Sequence, residues 1–445
     1  MSRSRIYVYF ISLVAAVGGL LFGFDIAIIN GALVFLEKEF SLSAFQKELA
    51  ASALLIGCAF GAAAAGTLSD KYGRRKMLLV SAALFAVSAF AAALAANLPE
   101  FAAARFIGGL AIGVASLLSP LYIAEMSPAE IRGRLVAINQ LAIVIGILLA
   151  YYVSWTLADI GISSWRWMFA SAAVPSVFFL AALIFLPESP RWLVKENRPA
   201  EAVRVLERIN SRTDAATELR NIQEAVAEET GSVMDLLKPA LRRPMIIAVA
   251  LAILQQITGV NTIFFYGSEI FTKQIGNQPA STALMANVIV GLVNLAFTVV
   301  ALAVIDKIGR KPLLMLSSGG MGVSLVILGA LFRTNPQAAY PIFAVILVYV
   351  ACFATGLGPG VWVVMSELFP TRIRGRAMAI STVTLWLACT ALTLTFLSRV
   401  EAIGPSGAFW LYAAICLLTL TFVWRVVPET KGKTLEQIER SWLRH

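Results

Sequence analysis

Residues 70–75 read Asp-Lys-Tyr-Gly-Arg-Arg, and residues 306–311 read Asp-Lys-Ile-Gly-Arg-Lys. Two further motifs repeat at nearly the same offset: EMSPAEIRGR at 125–134 with ELFPTRIRGR at 367–376, and Pro-Glu-Ser at 187–189 with Pro-Glu-Thr at 428–430. Three motifs that recur at one spacing predict an internal duplication. Each copy follows or precedes a long apolar run at the same end of its half, so we expect two parallel repeats.

The composition indicates a membrane protein. Of the 445 residues, 59% are hydrophobic and 14% are charged, whereas a soluble domain carries about 25% charged residues. A helix needs roughly 20 apolar residues to cross a bilayer, and helices satisfy their own backbone polar groups in lipid. We therefore expect an all-α membrane protein with twelve transmembrane helices, six in each repeat, near 6–32, 48–68, 77–96, 101–124, 135–157, 167–186, 244–268, 283–304, 312–332, 339–364, 377–398 and 407–427.

The net charge of +10 follows from topology and does not require a nucleic-acid partner. Basic residues cluster in alternate short loops, and the intervening loops hold few. By the positive-inside rule, both termini are predicted to be cytoplasmic. The basic loops contain Lys71, Arg74, Arg75, Lys76, Arg132, Arg134, Lys307, Arg310, Lys311, Arg372, Arg374 and Arg376.

The repeats divide the chain into a first bundle at 1–187, a polar segment at 188–243, and a second bundle with a cytoplasmic tail at 244–445. Between Arg198 and Glu229 the apolar residues recur at helical spacing, which favours short amphipathic cytoplasmic helices over a disordered linker. Transporters built from parallel repeats bind their substrate near the midplane and rock around it.

The sequence lacks the residues that several other classes of function need. The only histidine is His445, and the cysteines lie inside apolar runs without CxxC spacing. The sequence also lacks the Gly-rich GxxxxGK[ST] loop of an ATP-driven pump. We expect no enzymatic activity, no cofactor and no metal. The four cysteines, Cys58, Cys352, Cys389 and Cys416, are interpreted as core residues.

Two charges stand inside apolar runs, Asp25 in span 1 and Arg105 in span 4. Charges in hydrocarbon are costly and usually pair along a pathway, and the predicted topology puts both in the outer half of the bilayer. Burial raises the proton affinity of an aspartate and a nearby guanidinium lowers it. Separating the two would therefore change proton binding, as a symporter requires; the alternative is a permanently ionised structural pair.

A polar, mostly uncharged set of residues lies near the predicted midplane. Amides in lipid need partners, and a hydroxylated ligand in a wet cavity supplies them, although any single amide can also bind a neighbouring helix. Tryptophans offer flat faces for a sugar ring. The candidate substrate residues are Gln140, Gln255, Gln256, Asn261, Asn294, Trp362 and Trp386. Gly356, Gly358, Pro359 and Gly360 predict a gate or a passive kink in span 10.

The duplicated loops combine acids with guanidinium groups that can bind carboxylates of neighbouring helices. An ion-pair cluster that forms in one conformation and breaks in the other would bias alternating access; a static topology anchor is the alternative. The candidate cytoplasmic ion-pair residues are Asp70, Arg74, Arg75, Glu125, Arg134, Glu188, Asp306, Arg310, Glu367, Arg376 and Glu429.

From its first helix to its C-terminal tail, the chain resembles the sugar porter family of the major facilitator superfamily. The motifs that carry the resemblance are GGLLFGFD (18–25), DKYGRR, RFIGGLAIG (105–113), PESPRWL (187–193), QQITGVN (255–261), DKIGRK, GLGPGVW (356–362) with SELFP, and PETKGKTLEQIE (428–439). The resemblance implies a monosaccharide bound mainly by the second half, through Gln255, Gln256, Asn261 and Asn294, with Gln140 from the first half and Trp362 facing the ring.

The resemblance also implies that Asp25 and Arg105 are the proton-coupling pair, which favours symport over passive diffusion. Leu385 departs from the family, because many relatives carry Gln or Asn before the tryptophan of span 11. Pentose, hexose and inositol therefore remain open. A passive uniporter, a sugar sensor and a drug exporter are the rival functions. We expect a protein that is functional as a monomer in a bacterial inner membrane, with a neutral sugar, a proton and lipid as its partners.

Overall fold

The computed structural model describes residues 3–128, 130–209, 212–227, 236, 238–275, 279–369 and 371–431. Almost all of these residues are helical. The helices are α1 (Arg3–Phe40), α2 (Ala44–Tyr72), α3 (Arg74–Leu94), α4 (Leu98–Glu125), α5 (Arg132–Thr156), α6 (Ser164–Ser171), α7 (Ala173–Ile184), α8 (Pro190–Lys195), α9 (Pro199–Ile209), α10 (Arg212–Ala227), α11 (Pro239–Ile257), α12 (Val260–Ile275), α13 (Ala280–Ile308), α14 (Arg310–Thr334), α15 (Ala339–Thr355), α16 (Leu357–Glu367), α17 (Thr371–Thr393) and α18 (Phe396–Val426).

Twelve helical stretches in the described part of the chain are long and apolar enough to cross a membrane, which confirms the predicted number of spans. Spans 1 to 5 contain α1 to α5. Span 6 is α6 with α7, span 7 is α11 with α12, and span 10 is α15 with α16. Spans 8, 9, 11 and 12 are α13, α14, α17 and α18.

The boundary between the last two spans differs from the prediction. Span 11 was expected to reach residue 398 and span 12 to begin at 407, but α17 ends at Thr393 and α18 begins at Phe396. The first part of α18 contains Arg399 and Glu401, so an apolar window misses it. Gly404, with φ of 73°, separates this part from the apolar remainder of the helix.

Local sequence signals set the ends of several helices. Ser43 begins α2 with a capping box, in which the Gln46 amide N–H donates to Ser43 Oγ and the Ser43 N–H donates to Gln46 Oε1 at 2.9 Å. Asn97 caps α4 by accepting a hydrogen bond from the Glu100 N–H at 3.0 Å. These caps satisfy backbone donors that a helix end leaves free.

Three short helices, α8, α9 and α10, lie in the segment between the repeats, where amphipathic helices were expected. The apolar side of α9 is buried through Ala202, Val205, Leu206 and Ile209. The end of the predicted amphipathic stretch at 228–229 and the tail at 432–445 lie outside the described residues.

The two repeats meet mainly along three pairs of helices, α1 with α12, α2 with α17, and α5 with α13, and α2 also contacts α18. We call the end of the bundle that carries Gly73 and Gly309 the motif face, and the end that carries Lys47 and Ser398 the opposite face. The polar centre lies between these ends.

Candidate transport site

Asp25 and Arg105 form a buried ion pair inside the first repeat. Arg105 is fully buried and Asp25 is 6% exposed. Arg105 Nη1 donates to Asp25 Oδ1, and Nη2 donates to the backbone carbonyl of Asp25 at 2.7 Å. The guanidinium also lies over the Phe169 ring at 5.0 Å from its centroid, while its Nε finds no partner among the described residues. The pairing expected from the sequence is therefore present.

Span 7 is broken where the amide-rich motif lies. α11 ends at Ile257 and α12 begins at Val260, and Gly259 between them has φ of 93°. A Cβ at this glycine would lie 2.8 Å from the Tyr412 ring, so only glycine fits both the conformation and the space. Tyr349 Oη donates to the Thr258 carbonyl at 2.9 Å and satisfies an acceptor that the break frees.

The amides of span 7 form a chain that reaches span 10. Gln255 Nε2 donates to the carbonyls of Leu357 at 2.7 Å and Gly358 at 3.2 Å, beside the junction of α15 and α16. Gln256 Nε2 donates to Gln255 Oε1 at 3.1 Å, and Asn261 Nδ2 donates to Gln256 Oε1. The chain therefore ties one broken span to the other.

Other predicted substrate residues keep free polar groups in this conformation. Gln140 is partly exposed and Asn294 is buried, and neither forms a hydrogen bond with another described residue. The Trp386 indole N–H is buried and also lacks a partner in the described part of the chain. Its ring meets Phe22 of the first repeat edge-on, with 5.5 Å between ring centroids, and Trp362 stays partly exposed.

On the motif face, the first repeat forms a compact ion cluster. Arg74 Nε donates to Glu125 at 3.1 Å, and Arg74 Nη1 donates to Asp70 at 3.0 Å. Glu188 accepts the backbone N–H groups of Arg74 and Arg75, each at 3.0 Å. These N–H groups belong to the first turn of α3, where a carboxylate is favoured by the helix dipole.

The second repeat builds the same cluster from the corresponding residues. Arg310 Nη2 donates to Glu367 at 3.0 Å and forms an ion pair with Asp306 at 2.9 Å. Glu429 accepts the N–H groups of Arg310 at 3.1 Å and Lys311 at 3.0 Å. The duplication seen in the sequence is therefore a duplication of contacts.

Glycines make room for both carboxylates. Gly73 has φ of 100° and Gly309 has φ of 105°. A Cβ would lie 2.3 Å from the Glu188 carboxylate at the first position and 2.7 Å from the Glu429 carboxylate at the second. The glycine in each loop motif thus gives its glutamate access to the helix N-terminus.

The two carboxylates differ in their electrostatics. Burial raises the pKa of Glu188 above its ordinary value, although three backbone N–H groups oppose the shift. Burial also acts to raise the pKa of Glu429, but its backbone hydrogen bonds outweigh burial and lower that pKa.

Sequence reasoning missed the hydroxyl groups of these clusters and placed two arginines in them that lie elsewhere. Ser189 donates to Glu125, and Thr430 donates to Glu367 at 2.6 Å; the repeated Pro-Glu-Ser/Thr motif contained this signal. Arg134 and Arg376 are exposed and form no ion pair with a described residue here. In the first repeat Arg132 lies 3.6 Å from Glu218 of α10 instead.

Contacts on the opposite face join the two repeats, and the sequence motifs do not include them. Lys47 is buried and binds Glu37 at 3.0 Å in its own repeat and Glu269 at 2.8 Å in the other. Glu48 is fully buried and accepts the N–H of Ser398 at 2.9 Å and its hydroxyl at 2.7 Å.

A third connection lies deeper on the same side. Asn30 Nδ2 donates to the carbonyls of Ile263 at 3.1 Å and Phe264 at 3.0 Å, and its Oδ1 accepts the N–H of Ser268 at 2.7 Å. Tyr151 Oη also donates to the Phe264 carbonyl, at 3.1 Å. The opposite face is therefore closed by hydrogen bonds between the repeats, whereas the hydrogen bonds and ion pairs given above for each motif-face ion cluster, among the described residues, lie within one repeat.

The fold and these sites define a multi-pass membrane transporter, with two repeats around a polar centre and paired ion clusters at one end. A family model described as "Sugar (and other) transporter" matches residues 11–442. The chain belongs to the sugar porter family of the major facilitator superfamily, and it is a transporter rather than an enzyme.

Named relatives agree with this assignment. The chain is 40% identical over 450 residues to the arabinose-proton symporter of Bacillus subtilis, covering 100% of this chain and 97% of that one. It is 39% identical over 478 residues to the D-xylose-proton symporter of Escherichia coli, covering 98% and 96%. The partially occluded inward open structure of the xylose transporter XylE from E. coli matches with a TM-score of 0.87 and 36% identity, covering 96% of this chain and 99% of that one.

Proposed function

We propose that the protein imports a neutral monosaccharide or polyol together with a proton. The observation that carries the proposal is the buried contact between Asp25 and Arg105. A carboxylate in hydrocarbon binds a proton weakly beside a guanidinium and strongly after the two separate. A change of conformation that moves span 1 against span 4 therefore changes the proton affinity of Asp25.

The proposed orientation places the motif face in the cytoplasm of a bacterial inner membrane. The basic loops of that face support this orientation. With it, closure of the opposite face by Lys47, Glu48 and Asn30 corresponds to a conformation that opens inward. The likeness to an inward open xylose transporter supports the same interpretation.

The proposed sugar site is uncharged. Gln140 and Asn294 are free to bind hydroxyl groups, and the Trp386 indole N–H is an unused donor. A neutral polyol matches such a set better than an ion does, because a bound ion would need a countercharge in a medium of low dielectric constant. The names of the relatives, which include arabinose and xylose symporters and a glucose transporter, favour a pentose or hexose.

In the proposed cycle, Asp25 takes up a proton from outside while the sugar binds between the repeats. The repeats then rock, the contacts of the opposite face form, and the sugar leaves through the motif face. Asp25 releases its proton as Arg105 returns to it. One chain carries both repeats, so the cycle is proposed for a monomer.

Uptake in proteoliposomes tests the proposal. Labelled arabinose, xylose, glucose and inositol are compared with and without an imposed inward proton gradient. We expect the gradient to concentrate one of them, and Asp25→Asn to abolish concentration while sugar exchange at equilibrium continues. Asp159→Asn, an exposed acid on the opposite face, is the matched control and should behave as the unmodified protein does.

A passive uniporter predicts a different result. Sugar uptake that reaches equilibrium without concentrating the sugar, at the same rate in Asp25→Asn, would favour uniport over symport. No uptake of any tested sugar, in a protein shown to bind one of them, would favour a sensor.

A further inference from the structure

A cavity of about 350 Å³ lies on the motif face, away from the polar centre, between α3, α8 and α9. Trp192 and Leu193 provide apolar parts of its wall. Five cationic side chains also line it: Arg75, Lys76, Arg198, Arg204 and Arg208. Two carboxylates, Glu188 and Glu201, complete the charged lining.

Both carboxylates already have partners. Glu188 accepts the backbone N–H groups at the start of α3, and Glu201 forms a bidentate pair with Arg198, with both N–O distances 2.7 Å. Arg75 is also committed, because its Nε donates to the Leu183 carbonyl at 3.0 Å. Glu201 also attracts Arg204 electrostatically, but two carboxylates cannot balance five cations, so the lining keeps a surplus of positive charge.

Lys76, Arg204 and Arg208 remain, and none of them forms a hydrogen bond or ion pair with another described residue. All three are exposed and so can be reached from water. Arg204 and Arg208 are four residues apart on α9, a spacing at which like charges repel on a helix. An anion between them would relieve this repulsion and accept their N–H groups.

We infer that this cavity binds a phosphate group, carried by a soluble phosphate ester or by a lipid headgroup. Guanidinium forks bind phosphate oxygens in pairs, and a lysine adds a point charge. The cavity lies beside the first turn of span 3, where basic pockets meet the headgroups of anionic lipids. Both sources present the same chemistry to the same three cations.

The test measures binding to purified protein in phosphatidylcholine nanodiscs. The melting temperature is followed while inorganic phosphate or glycerol 3-phosphate is added, and separately in nanodiscs that contain increasing phosphatidic acid. We expect a saturable rise with at least one source. Arg204→Gln combined with Arg208→Gln should weaken the apparent affinity by at least about tenfold, because each loses a charge-assisted hydrogen bond.

The control combines Arg220→Gln with Arg242→Gln, which removes the same charge from two exposed positions outside the cavity. It should bind as the unmodified protein does. Equal loss in both double variants would mean that only overall charge matters, and the absence of a saturable rise with every source would also overturn the inference. Helix content and unliganded melting temperature identify a variant that misfolds; in that case Lys76→Gln, on α3, replaces it in the same comparison.

The readout does not include sugar uptake. A negative result would therefore leave the transport proposal untouched, and a protein that fails to transport sugar could still bind phosphate here.

Discussion

At the scale of single residues, Glu188 and Glu429 show how equivalent positions acquire different energetics. The pKa of Glu188 is raised above the ordinary value of 4.5. At a pH between the ordinary pKa and the raised pKa, the folded protein therefore holds more protons than the unfolded chain. Its stability contribution therefore falls as the pH rises through this window. The pKa of Glu429 is lowered, so its contribution rises with pH up to about the same ordinary value.

Replacing each glutamate with neutral glutamine should change the melting temperature in opposite directions at the two sites. Above the raised pKa of Glu188, where both carboxylates are ionised, we expect Glu188→Gln to keep or raise the melting temperature and Glu429→Gln to lower it. As the pH falls below 4.5 and through the lowered pKa of Glu429, the difference between Glu429→Gln and the unmodified protein should shrink, because the native carboxyl then takes up a proton. Thermal unfolding in detergent across this range measures both effects, and a parallel loss at both sites would contradict the electrostatic account.

Trp386 offers a second prediction at this scale. Replacing it with phenylalanine keeps an aromatic ring beside Phe22 but removes the unused indole N–H. If that donor binds the sugar, KM should rise about two- to tenfold, the value of one neutral hydrogen bond, with little change in melting temperature. Trp424→Phe, at an exposed position facing lipid, is the control. An unchanged KM in Trp386→Phe would remove the indole N–H from the sugar site.

At the scale of elements, the break in span 7 depends on one residue. Gly259→Ala places a side chain at φ of 93° and against the Tyr412 ring. We expect a loss of about 1–3 kcal/mol in the free energy of unfolding and slower uptake, because the break positions the amides on both sides. Gly66→Ala adds a methyl group where no atom lies within 4 Å and serves as the control. Equal stability of the two variants would show that the break tolerates a Cβ.

At the scale of the whole molecule, closure of the opposite face rests on few charged contacts. Lys47→Gln removes the cation that pairs with both Glu37 and Glu269, and breaking a buried ion pair costs about 3–5 kcal/mol. The population should therefore shift toward conformations in which the opposite face is open. Distances between spin labels on the opposite-face ends of spans 1 and 7 would measure the shift.

The charge-swapped protein, Lys47→Glu with Glu269→Lys, keeps a pair of opposite charges between the two repeats and should restore closure. Arg166→Gln disrupts an ion pair with Glu39, 2.7 Å long, that lies within the first repeat, and it should leave the distances unchanged. Opening of equal size in the Arg166 variant would indicate general destabilisation of this face.

The sequence predicts features that depend on a repeated motif, on apolar length, or on a charge where an apolar residue is expected. Twelve spans follow from apolar length, the duplicated loops from their motifs, and the contact between Asp25 and Arg105 from two isolated charges at one depth. The contacts of Lys47 and Glu48 were not predictable in this way. Each occurs once, near the end of a span, where a charge normally faces water; only the approach of the other repeat buries it.

The hydrogen bonds from Gln255 to the carbonyls of Leu357 and Gly358 have a consequence for release of the sugar. A sugar hydroxyl that accepts an N–H of this amide must displace one of these two main-chain carbonyls. In the conformation that is closed at the opposite face, these carbonyls therefore compete with the sugar for the Gln255 amide. This competition weakens sugar binding at the stage when the sugar has to be released. It also weakens rebinding from a compartment in which the sugar accumulates.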